Sequence, residues 1–202
     1  LINLAMGISH VGHTPYEDVY FSSRYLEGAL LTYLKKINVV APNKNLRAKE
    51  LMDGEEKFSG AYVMEPTPGR YEWVYDLDLT SMYPSIIMSL NISPEMKMGK
   101  LLGWDVKEFL KGTTKTYSLE VEGKIKGTFN ETELATMLSK NKVTLSTNGI
   151  LYKNDRKGLI PSILEKWFDE RVEYRALSNK YAREGNNQKH TFFDKRQHVQ
   201  KI

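Results

Sequence analysis

The chain has 202 residues, of which 41% are apolar, 27% charged and 11% aromatic, so it reads as a folded protein of one ordinary domain or two small ones, neither a peptide effector nor a disordered chain. It has no cysteine, which excludes disulfides, thiol catalysis and thiolate zinc sites and fits a reducing compartment; no apolar stretch reaches the ~20 residues of a membrane-spanning helix and Leu1-Ile2-Asn3 opens without a basic, apolar leader, so neither membrane insertion nor secretion is expected. The net charge is +4, but residues 153–202 hold 12 Lys and Arg against 7 Asp and Glu, while residues 1–152 hold 17 against 18, so the basic C-terminal quarter suits either a polyanionic partner or a solvated helix face.

Ser22 and Ser23 precede Tyr25, Leu26, Ala29, Leu30, Tyr33, Leu34 and Ile37, an apolar stripe that predicts a structural helix capped by serine. Residues 41–59, with Pro42, Asn43, Asn45, Asp53 and Gly54, predict a polar connector and a boundary. A short strand is expected over Gly60–Glu65, ended by the turn Pro66-Thr67-Pro68-Gly69, and a second over Glu72–Leu79. Alternation returns at Tyr117–Glu122, closed by Gly123. Asn130 with Glu133 three residues on forms a capping box for a short helix through Leu134, Met137 and Leu138. Val143–Tyr152 predicts strand and turn around Asn148-Gly149, and Asn154–Gly158 a further polar turn. A long helix is expected from Pro161 to about Glu184, with Leu164, Phe168 and Val172 on one stripe and Arg171 and Arg175 on its neighbour. Gly185-Asn186-Asn187-Gln188 breaks it, and Thr191 with Asp194 predicts the cap of a final helix, giving an antiparallel helical hairpin rich in Arg and Lys. No internal repeat is present.

The segment 72–79 carries the most chemical information. Trp73, Tyr75, Leu77 and Leu79 alternate with Val74, Asp76 and Asp78, which places two carboxylates on one face of a strand. Like charges at that spacing repel unless a cation or a shared proton neutralises them, so a divalent metal is one reading and two solvated edge acids the other. Directly after Asp78, the run Leu79-Thr80-Ser81-Met82-Tyr83-Pro84 ends the strand and starts a helix at Pro84. Backbone N–H groups around Ser81, Met82 and Tyr83 are then left without intrahelical acceptors, as a cradle for an anion. An acid beside such amides suits a metal-bound phosphate chain; an ordinary strand-to-helix turn is the plainer reading.

Asp78-Leu-Thr-Ser-Met-Tyr-Pro-Ser-Ile-Ile87, followed by Asn91-Ile-Ser-Pro-Glu95, closely resembles motif A of family B DNA polymerases, in particular the replicative enzymes of T-even-type phages. Gly60-Ala61-Tyr-Val-Met-Glu-Pro66 and Gly69-Arg70-Tyr71 resemble the segment entering the palm of those enzymes. Asn148-Gly149-Ile-Leu-Tyr152, Gly158-Leu-Ile-Pro161 and Phe168-Asp-Glu-Arg171 resemble the start of their fingers. The likeness covers nearly the whole chain, least clearly residues 1–55 and 97–140. It implies an α+β fold: a partial palm-type antiparallel sheet carrying Asp78, with helices, and a C-terminal antiparallel helical hairpin, the fingers. The expected divisions are 1–57 (connecting helix and linker), 58–152 (partial palm) and 153–202 (fingers, cut at the start of motif B).

The resemblance implies template-directed deoxynucleotidyl transfer to a primer 3′-hydroxyl by a two-metal mechanism, with two Mg²⁺ ions as cofactors. Asp78 would be a catalytic, metal-binding aspartate and the Leu79 carbonyl a further metal ligand. The amides of Ser81, Met82 and Tyr83 would hold the triphosphate, and the Tyr83 ring would block a ribose 2′-hydroxyl. Arg171 and Arg175 would grip the triphosphate, as would Lys201, read as the lysine opening the K-x-x-x-N-S-x-Y-G motif B. The implied partners are primer–template DNA, deoxynucleotide triphosphates, a C-terminal palm and thumb polypeptide and a sliding clamp; the implied place is the cytoplasm of an infected bacterial cell.

The pattern is departed from at Asp76, where a small or neutral residue is expected, and at Phe58, where the tyrosine of the Y-x-G-G/A signature is expected. A second acid at Asp76 would raise the pKa of Asp78 or bind a cation itself. The sequence holds neither the rest of motif B, nor a Y-x-D-T-D motif C, nor a thumb, nor the exonuclease acids. It is therefore expected to be a palm-and-fingers fragment of a larger or split polymerase that does not polymerise by itself. Two alternatives stand beside this one. Asp76-Leu-Asp78-Leu-Thr80 also fits D-x-D-x-T and resembles the haloacid dehalogenase phosphohydrolases, in which Asp76 would be the nucleophile and Asp78 the acid/base. The basic hairpin alone would make a non-catalytic nucleic-acid-binding module or half of a split enzyme.

Overall fold

The computed structural model describes residues 2–43, 62–112, 115–140 and 143–200. The connector expected over 41–59 lies, from residue 44 on, outside the described residues, as do Phe58, Gly60, Ala61 and Lys201. The chain divides into two units, Leu1–Val39 with Ser81–Ile202, and Val40–Thr80.

The larger unit runs α1 (Ile2–Gly12), α2 (Ser22–Lys36), α3 (Met82–Leu90), β1 (Lys97–Leu102), α4 (Val106–Leu110), β2 (Thr116–Val121), β3 (Lys124–Asn130), α5 (Glu131–Lys140), β4 (Val143–Leu145), β5 (Ile150–Lys153), α6 (Leu159–Arg183) and α7 (Asn187–Val199), with 3₁₀ turns at Tyr16–Asp18 and Pro94–Met96. The strands form one antiparallel sheet in the order β3-β2-β1-β5-β4. This is the α+β architecture expected, although the sheet does not carry Asp78.

Sequence explains the sheet locally. Tyr117 and Leu119 point inward from β2, and Glu122 (φ 51°) with Gly123 (φ 74°) closes the β2–β3 hairpin with two left-handed residues, the turn that matches strand twist. The Asn130–Glu133 capping box forms as expected: the Glu133 N–H donates to Asn130 Oδ1 at 2.8 Å and the Asn130 N–H to Glu133 Oε2 at 2.9 Å. That cap starts α5, which drives Leu134, fully buried, into a core with Leu101, Tyr117, Leu119, Val143 and Leu151.

A second core joins Tyr25 and Ala29 of α2 to Ile163 and Trp167 of α6, with the Tyr25 and Trp167 rings 5.7 Å apart. Burial first, with Tyr33 adding to it, pushes the Tyr25 hydroxyl up to about 12. The expected α2 is present, but its cap position is Phe21 and neither serine caps it. On α6 the buried stripe is Ile163 and Trp167, one residue before the expected Leu164, Phe168 and Val172, and Val172 is 54% exposed. Apolar doublets at 163/164 and 167/168 satisfy either phase, and docking against α2 selects one.

Gly185 at φ 71° ends α6 and turns the chain into α7. The cap of α7 is Asn186, whose Oδ1 accepts the Lys189 N–H at 3.1 Å; Thr191 and Asp194, expected to cap it, lie inside the helix. Asn186 wins because the turn delivers it at the first free amides. Cross-links at Ser178–His190 (3.0 Å), Tyr174–Arg196 (3.2 Å) and Glu170–Gln200 (2.5 Å) show the expected antiparallel hairpin.

In the smaller unit, residues 62–80 contain no strand. Both strands expected there, Gly60–Glu65 in its described part and Glu72–Leu79, are extended or bent chain; Trp73 is 98% exposed and interrupts the run at φ 60°. Alternation supplies two faces, but a strand also needs a neighbour for its backbone N–H and C=O groups, and no ladder forms over these residues.

Candidate active site

In the smaller unit, Asp76 and Asp78 both lie on the exposed extended run, followed by Leu79, also exposed. Because the run is not a strand, the shared carboxylate face is not formed. The acids and the Leu79 carbonyl nevertheless offer hard oxygen donors within one four-residue run, the ligand type that Mg²⁺ takes together with water and substrate phosphates. Among the described residues no three His, Asp or Glu side chains cluster as a metal-binding group.

In the larger unit, Ser81 is the cap residue of α3 and is left-handed (φ 52°, ψ 46°), and its side chain caps nothing. A left-handed residue leading into helical ones turns successive N–H groups toward one side. The helix begins at Met82, so Pro84 is its third residue rather than its first, and a proline there contributes no N–H. Among the described residues the N–H groups of Ser81, Met82 and Tyr83 have no acceptor, and the first helical bond joins the Ser85 N–H to the Ser81 carbonyl at 3.0 Å. The Tyr83 ring is 68% exposed. The free amides expected at this helix start are thus present in the backbone of α3.

Helix α3 packs against α6. Arg171, half-buried, and Arg175, exposed, stand one turn apart on α6, and neither has an ion-pair partner among the described residues. The structure therefore brings together two of the helices that carry candidate phosphate-binding groups. Asp78 and Leu79 belong to the other unit, and Lys201 is outside the described residues.

Sequence reasoning assigned no role to the polar side chains of Asn91-Ile-Ser-Pro-Glu95, and here they cap α6 from a distance. The Gly158 N–H donates to Asn91 Oδ1 (2.8 Å), the Leu159 N–H to Glu95 Oε1 (2.6 Å) and the Ile160 N–H to Ser93 Oγ (3.3 Å). Asn91 Nδ2 also donates to the carbonyls of Lys153 (2.7 Å) and Arg156 (2.9 Å). A side chain at Gly158 would collide with this latch, since a Cβ there would sit 2.7 Å from Ser93 Cβ. Desolvation alone would raise the Glu95 carboxyl, but the Leu159 N–H, the Ser93 hydroxyl and Arg156 outweigh it and hold the carboxyl below its ordinary value. The segment between α3 and β1 thereby fixes where α6 starts. Its only sequence signal is a set of short polar residues next to Pro94, which does not say what they cap.

A sheet with a packed helical pair and a helix start stripped of acceptors is α+β architecture with a phosphate-compatible backbone. A sequence profile of DNA polymerase family B matches residues 19–202, and the chain belongs to that family. It is 26% identical over 184 residues to the DNA-directed DNA polymerase of Escherichia phage RB69, covering 91% of this chain and 17% of that one, and 26% identical over 174 residues to that of Enterobacteria phage T4, covering 86% and 16%. A DNA polymerase of Archaeoglobus fulgidus is 37% identical over 97 residues, 47% of this chain and 12% of that one. The chain spans about a sixth of the length of the phage relatives it matches. The family B DNA polymerase of Pyrobaculum calidifontis shares the fold, with a TM-score of 0.62 at 24% identity over 100% of this chain and 21% of that one.

Proposed function

We propose that this chain supplies the nucleotide-binding part of a DNA-directed DNA polymerase, which transfers a deoxynucleotide from its triphosphate to a primer 3′-hydroxyl under the direction of a template. The observation that carries the reading is the start of α3: three unaccepted amides led by a left-handed serine, on a helix packed against the one bearing Arg171 and Arg175. In this reading the N–H groups of Ser81, Met82 and Tyr83 donate hydrogen bonds to the triphosphate oxygens. Arg171 and Arg175, joined by Lys201, neutralise its charge and orient the α-phosphate for in-line attack. The exposed Tyr83 ring stands against a ribose 2′-hydroxyl. The Asp78 carboxylate and Leu79 carbonyl are oxygen ligands for Mg²⁺. When bound, a Mg²⁺ pair stabilises the attacking and leaving oxygens.

Residues 58–152 then correspond to part of a palm and 153–202 to fingers, with primer–template DNA and deoxynucleotides as substrates, and a palm and thumb polypeptide and a sliding clamp as further partners. The second aspartate of a two-metal site is not in these 202 residues, so the chain alone is expected not to extend a primer. Mixing it with a polypeptide that starts at Asn-Ser-x-Tyr-Gly and carries Tyr-x-Asp-Thr-Asp tests the reading. Primer extension is expected from the mixture only, and Asp78→Asn should abolish it. Extension that survives Asp78→Asn, or a parent chain that neither complements nor binds deoxynucleotide, overturns it.

A further inference from the structure

Asp105, Asn130 and Asn186 each cap the helix that directly follows them, α4, α5 and α7. Helix α6 is built otherwise, since its cap residue is Gly158, which has no side chain. The amides at its start go instead to one distant segment: Gly158 to Asn91, Leu159 to Glu95 and Ile160 to Ser93. Pro161 has no N–H, and the Ser162 N–H begins the helical ladder on the Gly158 carbonyl at 3.0 Å. Every donor of the first turn is thus accounted for, and none by a neighbour in sequence. A local cap would satisfy the same amides; a remote one also fixes the helix to whatever carries the cap.

What carries it here is the end of α3. Asn91 closes that helix in the left-handed conformation (φ 55°), its N–H returning to α3 carbonyls, and its buried side chain also holds the carbonyls of Lys153 and Arg156. Ser93, equally buried, donates to the Glu95 carboxylate and so orients it toward Leu159. Helix α3 therefore has its free amides at one end and the anchor of α6 at the other, about 13 Å away. Along α6, Arg171 stands about 18 Å from Leu159 and Arg175 about 24 Å. A tilt of about 10° at the anchor would move Arg171 by about 3 Å, well beyond the ~0.5 Å within which a binding group must be held. The apolar contacts of Ile163 and Trp167 with α2 lack direction, whereas hydrogen bonds at the helix start fix its angle and its axial position.

We propose that Asn91, Ser93 and Glu95 are positioning residues for the triphosphate: by holding the start of α6 to the end of α3 they set where Arg171 and Arg175 stand relative to the Ser81, Met82 and Tyr83 amides. The role rests on the nucleotide-binding reading above. Its test measures binding of a deoxynucleoside triphosphate with Mg²⁺ to the full 202-residue chain by equilibrium dialysis. Glu95→Ala should weaken binding about fivefold and Asn91→Ala at least as much. Glu95→Gln keeps an oxygen for the Leu159 N–H and should bind within about twofold of the parent. Asp105→Ala, which removes the cap of α4, should leave affinity unchanged. The effect of Glu95→Ala should vanish in an Arg171→Ala/Arg175→Ala background, a non-additivity that lost stability alone does not produce.

The geometry has a readout of its own, because a chain without cysteine takes nitroxide labels only where cysteines are introduced. Labels at Ile86→Cys on α3 and Ala182→Cys on α6, both exposed, should report one narrow distance that broadens in Glu95→Ala and Asn91→Ala and not in Asp105→Ala. Should Asn91→Ala fail to fold, Glu95→Ala carries the test, its side chain being exposed. Label distances unmoved by Glu95→Ala overturn the role, as does a loss of affinity with Asp105→Ala equal to that with Glu95→Ala. Parental affinity in Glu95→Ala together with a loss in Arg171→Ala overturns the role and leaves the nucleotide reading standing. A parent that neither binds triphosphate nor complements overturns that reading, and the positioning role falls with it.

Discussion

The β2–β3 hairpin and the segment 72–79 are alike in sequence and unlike in structure. Both alternate apolar and polar residues, and the aromatic and β-branched residues that strands favour are about equally frequent in the two, three of eight positions in 72–79 and six of fifteen in 116–130. Yet β2 lies between β1 and β3 with Tyr117 and Leu119 buried, while 72–79 forms no ladder and exposes Trp73, Tyr75, Leu77 and Leu79. Period-two patterning thus reports what a segment can bury, and whether it becomes a strand depends on whether a neighbour supplies the backbone partners.

The largest expected effect belongs to the packed side of that contrast. Leu134 is fully buried beneath the sheet and its removal leaves a hole among Leu101, Tyr117 and Leu151 that rigid strands fill poorly. Leu134→Ala should therefore destabilise the chain by about 2–5 kcal/mol, read as a lower urea midpoint at unchanged slope. A loss below about 1 kcal/mol would mean that the sheet is not the cooperative core and would dissolve the contrast.

An intermediate effect is expected where the segment between α3 and β1 holds the start of α6. The Glu95 carboxylate accepts the Leu159 N–H and the Ser93 hydroxyl, so Glu95→Ala frees a helix-start donor and should cost about 1 kcal/mol. The sign of its pH dependence follows from the lowered folded-state pKa. The carboxylate's contribution is fully present above its unfolded value, near 4.5, and is lost as the pH falls through the lower folded value. The stability gap between parent and Glu95→Ala should accordingly close as the pH is taken below 4.5; a gap that widens instead would show that the carboxylate does not hold α6.

The elements legible in the sequence are those whose signals are local. The end of β2 is written in Gly123, although the strand β3 that follows was not expected; the α5 capping box spans four residues; the α6–α7 break is written in Gly185-Asn186. The start of α3 was legible too, because a strand-like run meeting a proline must leave amides free, although the helix opens two residues before Pro84. Features that depend on tertiary choice were not. The phase of the buried stripe on α6 follows from the docking of α2, and the Asn91, Ser93 and Glu95 caps act on residues 64 or more positions away.

The smallest expected effect is the most discriminating. Trp73 buries almost nothing, so Trp73→Ala should leave the stability of the chain within about 0.5 kcal/mol of the parent, although tryptophan truncation in a core costs about 3–5. Backbone amides of 74–79 should exchange with solvent at rates near those of an unstructured peptide, while those of β2 are protected. If the aromatic and aliphatic face of 72–79 exists to be covered by strands of a complementing polypeptide, as the polymerase reading requires, those amides should gain protection in the mixture, and Trp73→Ala should weaken the complex without weakening the chain. Protection already present in the chain alone would mean that the segment finds its partner within these 202 residues. Asp78 would then be held in place before any complement arrives.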